Sequence, residues 1–379
     1  MSKQQNKTFI SALATPLASI FGSGFLVIIP ILAAVTGTLS VFAMLAITAV
    51  AYCVGEVIRF NIRYAEPALE KPQDHKITLG FERFSDIALV LAYIISISLY
   101  LRILSAFVLD PFQADIEFNE QLITTGIIAF IALFGLFKGL QSIEKLEFWS
   151  LAVTMIIIFF VILDFGIYDI NRIIGDGIQW PGLPDSSPWK IVTILAGTLI
   201  VVQGFETSRY LEDSYDRDTR IRTSRASQII STIVYILFVA LATPLMHYLQ
   251  SPVKSNDLIM LAGKVIFFLP LMVISAAILS QFSAAVADTI AAVGNIFEAS
   301  KSKINNKFAY LFIGICAIAL TWSVSTFQLV ALASRAFAFY YFLQCLVAIS
   351  VSRTYTQKLM ISLVACILLF VTLFAVPVG

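Results

Sequence analysis

The chain has 379 residues, 59% of them hydrophobic and 13% charged, with a mean hydropathy of +0.89. Soluble domains run near half apolar and about a quarter charged, so that class is excluded. A net charge of +1 gives no electrostatic reason to expect a nucleic-acid partner.

In chain order, residues 1–8 are polar and carry Lys3 and Lys7 ahead of an apolar stretch that continues to about Val50. No convincing cleavage site interrupts it, so we expect a retained first span rather than a signal peptide. A membrane helix needs about 20 mostly apolar residues. Eleven segments qualify, at 12–35, 38–60, 85–109, 122–140, 148–168, 189–208, 227–249, 262–298, 308–325, 327–350 and 359–378. The eighth is too long for one simple crossing, so its first turns are expected outside the hydrocarbon layer. The expected fold is therefore an all-α membrane protein of about 11 transmembrane helices. It forms one transmembrane domain over 1–379, since neither long polar stretch, 61–84 or 209–226, can fold alone. The second stretch is charge-dense and reads as a solvated connection touching phospholipid, with a regulatory role as the alternative. Cys53, Cys316, Cys345 and Cys366 lie in apolar runs without paired spacing, which favours buried hydrophobes over metal ligands or disulfides.

The basic residues set the orientation. With the N-terminus in the cytoplasm, nineteen of the 25 lysines and arginines fall on the inner side and four on the outer side. Arg102 and Arg335 lie within spans, Arg102 beside Asp110, its expected partner. An odd number of spans then puts the C-terminus outside. Compact size and few long loops fit a bacterial inner (plasma) membrane.

Two segments carry internal breaks: Gly22-Ser23-Gly24 in the first and Gln203-Gly204-Phe205-Glu206 in the sixth. Glycines weaken a membrane helix and leave backbone groups unpaired, which lipid does not tolerate unless protein or a polar cavity surrounds them. Broken helices in corresponding halves of a multispan chain point to the binding site of a transporter. A restarted helix also offers free N–H groups and a positive dipole end, which hold a carboxylate. Gly22, Ser23, Gly24 and Phe25 are the expected residues of that pocket, with close helix packing through small residues as the competing explanation. Asp288, deep in the eighth segment, is an intramembrane ionisable group and so a functional candidate. It shares a helical face with Gln281. Three roles stand open for it: carrying a proton, ligating sodium or meeting a basic substrate. A salt bridge to Arg102 or Arg335 is the structural alternative.

These motifs resemble the amino acid–polyamine–organocation (APC) superfamily. Phe21-Gly22-Ser23-Gly24-Phe25 is similar to its Gly-Ser-Gly signature, and Gly55-Glu56 stands where the family often has Ala-Glu. Gly139 to Lys145 resembles its glycine-led start of span five. Gly204-Phe205-Glu206, then Glu212-Asp213 and a basic run to Arg225, resembles the family's passage from span six to span seven. The resemblance covers spans one to ten. It implies the LeuT-type five-plus-five inverted repeat, with 1–170 as the first repeat, 189–350 as the second and 359–378 as a peripheral span. Family members commonly have twelve spans, and several proton-coupled ones carry a lysine in span five near the position of Thr154 here.

The resemblance further implies that carbonyls of Ile200 and Gln203 receive a substrate ammonium, with Gly204 allowing close approach. Glu206 stands beside them and is expected chiefly to hold the break by hydrogen bonds. Ser283, Gln281, Asp288 and Thr154 form the expected ion-coupling set, with a candidate sodium position near Ser283 and Asp288. The function so implied is a non-enzymatic secondary transporter (permease) of an amino acid or related amine. It would work by alternating access and would be ion-coupled or exchanging. No nucleotide-binding motif is present, so an ion gradient or substrate exchange is expected to drive it, with Na+ or H+ as the candidate coupling ion and no cofactor expected. The alternative is a membrane sensor that kept the fold and lost transport.

Overall fold

The computed structural model describes residues 3–22, 24–71, 73, 75–140, 145–175, 177–300 and 304–378. Among them all regular secondary structure is helical. Helices α1 (Lys3–Gly22) and α2 (Ile28–Val35) share the first apolar segment. Next, α3 (Ser40–Phe60) runs through a π-helical turn, Asn61–Ala65, into the short α4 (Glu66–Leu69). Then come α5 (Lys76–Leu109), α6 (Glu117–Lys138), α7 (Lys145–Ile174) and α8 (Pro188–Ala196). Two 3-10 segments, Leu199–Val202 and Phe205–Leu211, lead to α9 (Arg217–Ala242). The chain closes with α10 (Asp257–Val265), α11 (Leu269–Ala299), α12 (Asn306–Ser323), α13 (Thr326–Val351) and α14 (Tyr355–Phe374).

Nine helices among the described residues are long and apolar enough to cross a membrane, and Thr8–Gly22 is a shorter apolar one. The expected first and sixth spans fall out of that set because each is interrupted at its glycines. Helix α5 is the central post: 83% of its most apolar stretch is buried inside the protein, against α6, α11, α12 and α13. Helix α14 packs chiefly on α13 and buries only 22% of its apolar stretch. Large apolar side chains such as Phe42, Phe137, Ile156 and Leu363 are exposed on the outer belt. A surface of that kind is stable when its solvent is lipid.

Helix boundaries differ from the sequence expectation mainly at polar ends. Helix α5 starts at Lys76 and α9 at Arg217, well ahead of their apolar runs. The long eighth segment is two helices, because residue Ile266 is extended and Pro270, lacking an amide, opens α11. The stretch 209–226 departs furthest from the solvated connection expected of it. Its Arg220 is buried and makes two bonds to Glu66, at 3.0 and 2.7 Å. Arg209 reaches Glu82 at 2.8 Å and Gln344 at 2.7 Å. Buried guanidiniums need such forks of acceptors, and α4, α5 and α13 supply them.

Candidate functional site

Helix α1 stops at Gly22, and the chain turns at 24–27, where the Val27 amide donates to the Gly24 carbonyl at 3.1 Å. Ser23, expected in the anion pocket, lies outside the described residues. The break at 197–211 sits against this one. A Cβ on Gly24 would lie 2.8 Å from Val201 Cγ2. At Gly204, where φ is +128°, it would lie 2.6 Å from both the Ile20 amide nitrogen and Ser19 Oγ. Glycine at these two positions therefore brings the breaks into backbone contact.

Side chains of other helices take up the interrupted hydrogen bonding, as buried backbone requires. Gln281 of α11 donates to the Gly22 carbonyl at 3.0 Å. Tyr235 of α9 places its hydroxyl 2.8 Å from the Val201 carbonyl and 3.2 Å from that of Ile20, touching both breaks at once. Its ring stacks on Phe21, with centroids 5.7 Å apart. Ser334 of α13 accepts from the Ile200 amide at 3.0 Å and donates to the Gly197 carbonyl at 2.8 Å. Glu206 accepts from the Gly204 amide at 2.9 Å and from the Tyr341 hydroxyl at 2.6 Å. The Gln203 side chain lies between the hydroxyls of Tyr100 and Tyr341, at 3.4 and 3.3 Å. The Ile200 carbonyl accepts the Gln203 amide at 3.2 Å.

Beside the breaks lies a cavity of about 390 Å³. Its walls come from α1, α5, α7, α11 and residues 207–211. Glu298, Gly294 and Tyr210 stand exposed at one end, whereas Tyr93, Tyr100 and Asp288 are buried at the other. Beyond Phe21 and Ser280 lies a void of about 10 Å³, whose mostly apolar wall includes Phe25, Leu26, Leu258 and Val273 together with Thr154. Among the described residues the cavity is thus open toward the end of the protein that holds the C-terminus of α11 and narrows to this void toward the other.

Of the expected site residues, Gly22, Thr154, Ser283 and Asp288 line this cavity. Gly24, Phe25, Ile200, Gln203, Gly204, Glu206 and Gln281 do not. Phe25 lines the small void beyond it, and Gln281 and Glu206 hydrogen-bond to the breaks themselves. Asp288 is 8% exposed and accepts a hydrogen bond from Ser96 of α5. Neither arginine offered as its ion-pair partner pairs with it. Arg102 pairs with Glu117 and Glu120, at 3.5 and 3.4 Å, and with the Thr321 carbonyl at 3.0 Å, rather than with Asp110. Arg335 donates to the Thr372 carbonyl at 2.7 Å. Two buried oxygens on the cavity wall, Tyr93 Oη and Thr154 Oγ1, have no hydrogen-bond partner among the described residues.

Sequence reading missed Tyr93, Tyr100, Ser96, Tyr235 and Ser334. Each is a polar residue inside an apolar run, and that was the available signal. Which of many such residues faces the breaks depends on helix rotation, which a uniformly apolar pattern does not encode.

A profile of the family described as APC superfamily transporter matches residues 2–376. An uncharacterized protein of Aquifex aeolicus (strain VF5) is 36% identical over 377 residues, covering 98% of this chain and 91% of that one. Among solved structures, the Eremococcus coleocola manganese transporter in complex with an aromatic bis-isothiourea substituted compound superposes with a TM-score of 0.62 at 12% identity. It covers 98% of this chain and 87% of that chain. A mutant of the same transporter gives 0.60 at 12% identity, over 97% and 86%. At such identity the likeness concerns the fold. A chain whose described residues form only helices, with an apolar outer belt, a cavity beside two helix breaks and a family match along nearly its whole length, is an integral membrane protein, and it belongs to the APC superfamily of transporters.

Proposed function

We propose that this transporter moves an amino acid or related amine by alternating access, driven by an ion gradient or by exchange. The observation that carries the reading is the charge of the cavity. Asp288 is buried within it and Glu298 stands at its mouth, while among the described residues no lysine, arginine or histidine lines it. A wall of this kind favours an ammonium group, and the rings of Tyr93, Tyr100 and Phe21 add faces on which an organic cation rests. Tyr93 Oη and Thr154 Oγ1 are polar atoms a substrate can satisfy. In this reading the amides around Ser23, Gly24 and Phe25 receive the carboxylate of a zwitterionic substrate once the wall at Gly22 opens, since Gly24 and Phe25 do not line the cavity as it stands.

The reading takes α1 with α2, and α8 with its 3-10 segments, as interrupted first and sixth spans. That gives 11 crossings in a five-plus-five inverted repeat with α14 outside it, the N-terminus in the cytoplasm and the C-terminus outside, in a bacterial inner membrane. The cavity would then be open to the cytoplasm. Asp288 is the proposed coupling group. It either takes up a proton, or holds sodium with oxygens from Ser96 or Ser283. Manganese transport, as named for the structural neighbours, finds less support. Among the described residues no three of His, Cys, Asp or Glu lie close enough to hold a metal ion. Asp288 and Glu298 are ten residues apart on one helix, about 15 Å at 1.5 Å per residue.

Reconstituted protein given labelled amino acids, amines and manganese under imposed sodium and proton gradients tests this. We expect saturable uptake of an amine-bearing solute, with Asp288→Asn losing uptake or its ion dependence. Manganese uptake alone would overturn the substrate class. Tight solute binding without any uptake would favour the sensor. Uptake indifferent to Asp288→Asn would remove that residue from coupling.

A further inference from the structure

A second cavity, of about 440 Å³, shares no lining residue with the first. It is framed by the end of α3, the π-helical turn, the start of α9 and the first turns of α14. A π turn carries one more residue than an α turn. Here it keeps Asn61 and Ala65 buried while Arg63 and Tyr64 are exposed. Asn61 is anchored inside by Gln344, at 2.9 Å to its carbonyl and 2.8 Å to its side chain.

Two chemistries meet in this cavity. One end is basic: Arg59, Arg63 and Arg225 face a single carboxylate, Glu56. Glu56 pairs with Arg59 at 3.0 Å and with Arg225 at 3.3 Å. Arg59 is buried, lies over the Tyr52 ring at 5.1 Å and donates to Gln228, so it is committed inward. Arg63 is exposed and pairs with no acid among the described residues. The other end is apolar, formed by Phe60 of α3 and by Met360, Ile361 and Val364 of α14. Residues 360 and 364 are one turn apart on one helix face, so they form a strip along the axis of α14. From Thr356 to Val364 the wall descends about 12 Å at 1.5 Å per residue, the depth from a headgroup layer into acyl chains.

We propose that this cavity binds an anionic phospholipid. Its phosphate lies between the guanidiniums of Arg63 and Arg225, and one acyl chain follows Met360 and Val364. Guanidiniums hold phosphate through paired N–H donors. The excess of two positive charges selects an anionic headgroup over a zwitterionic one, and the apolar strip selects a lipid over a free anion. This assignment is independent of which solute is carried.

The test uses the full-length protein in detergent, delipidated and titrated with phosphatidylglycerol or with phosphatidylcholine of the same chains, bound lipid being counted by native mass spectrometry. We expect saturable binding with a preference of about tenfold for phosphatidylglycerol. Arg63→Gln combined with Arg225→Gln should abolish the preference, and Arg83→Gln, an exposed base elsewhere, should retain it. Val364→Trp, which fills the apolar end with every charge intact, should weaken long-chain phosphatidylglycerol several-fold. Thermal midpoints establish that each variant is folded. Equal binding of the two lipids, an unchanged preference in the double variant, or displacement of lipid by equimolar inorganic phosphate would each overturn the proposal.

Discussion

Gly204 shows how much one missing methyl can fix. Its φ of +128° is unfavourable for any side chain, and a Cβ there would sit 2.6 Å from the Ile20 amide. Gly204→Ala should therefore cost about 2 kcal/mol or more, combining backbone strain with a forced separation of the two breaks. Gly80 is the control. It lies on the exposed first turns of α5, and a methyl added there would meet nothing within 4 Å. Gly80→Ala should be neutral or stabilising by up to about 1 kcal/mol through helix propensity. Thermal unfolding of both variants in detergent checks the pair, and equal midpoints would contradict the role given to Gly204. The same contrast explains what the sequence could disclose at this scale. A glycine inside an apolar run is a local anomaly, so Gly22, Gly24 and Gly204 were visible. Tyr235 and Ser334, which bridge the interrupted backbone, are ordinary polar residues whose importance comes from helices distant in the chain. Asp288 announced itself by charge, but its partner Ser96, 192 positions away, did not.

At the scale of elements, the apolar cores of the helices were legible and their polar ends were not. Counting apolar residues finds the part of a helix inside hydrocarbon, whereas α5 and α9 extend through the interface, where capping and ion pairs take over. Helix α9 begins with a cap of its own. Asp216 accepts from the Thr219 amide at 3.0 Å and from the Thr219 hydroxyl at 2.7 Å. Those bonds hold its carboxyl below the usual carboxylate range. A carboxyl with a lowered folded pKa stabilises fully above its unfolded value, about 3.9, and loses that contribution as pH falls through the folded value. Asp216→Ala should accordingly cost about 1 kcal/mol at neutral pH, while Asp216→Asn, also a good cap, should cost little. Melting curves from pH 7 down to pH 3 should show the wild type approaching Asp216→Ala only at the acid end. A constant gap across that range would mean that the carboxylate is not the stabilising group. The cap also matters for position, since Arg220, on the first turn after it, must meet Glu66.

For the whole molecule, the decisive property is that, among the described residues, the cavity opens at the α11 C-terminal end and narrows at the other. Residues 207–211 line its mouth, and the same segment sends Arg209 sideways to Glu82 and Gln344. In the proposed alternating access, movement of this segment would rearrange both the cavity wall and a buried ion-pair network that ties it to α4, α5, α9 and α13. The narrow end is lined instead mostly by apolar side chains, among them Phe25, Leu26, Leu258 and Val273. Apolar seals of this kind separate without leaving unpaired charge, as the proposed alternating access requires. The sequence-derived orientation makes the mouth cytoplasmic, and a labelling experiment decides it. In a protein whose four cysteines, Cys53, Cys316, Cys345 and Cys366, have been replaced, Ala291→Cys on the cavity wall should react with a membrane-impermeant maleimide in inside-out vesicles. It should be protected in right-side-out ones. Val273→Cys, in the narrow apolar end, should be slow from both sides. Reaction of Ala291→Cys from the outside alone would invert the topology, and equally fast reaction of Val273→Cys would mean that the seal is not the resting state in the bilayer.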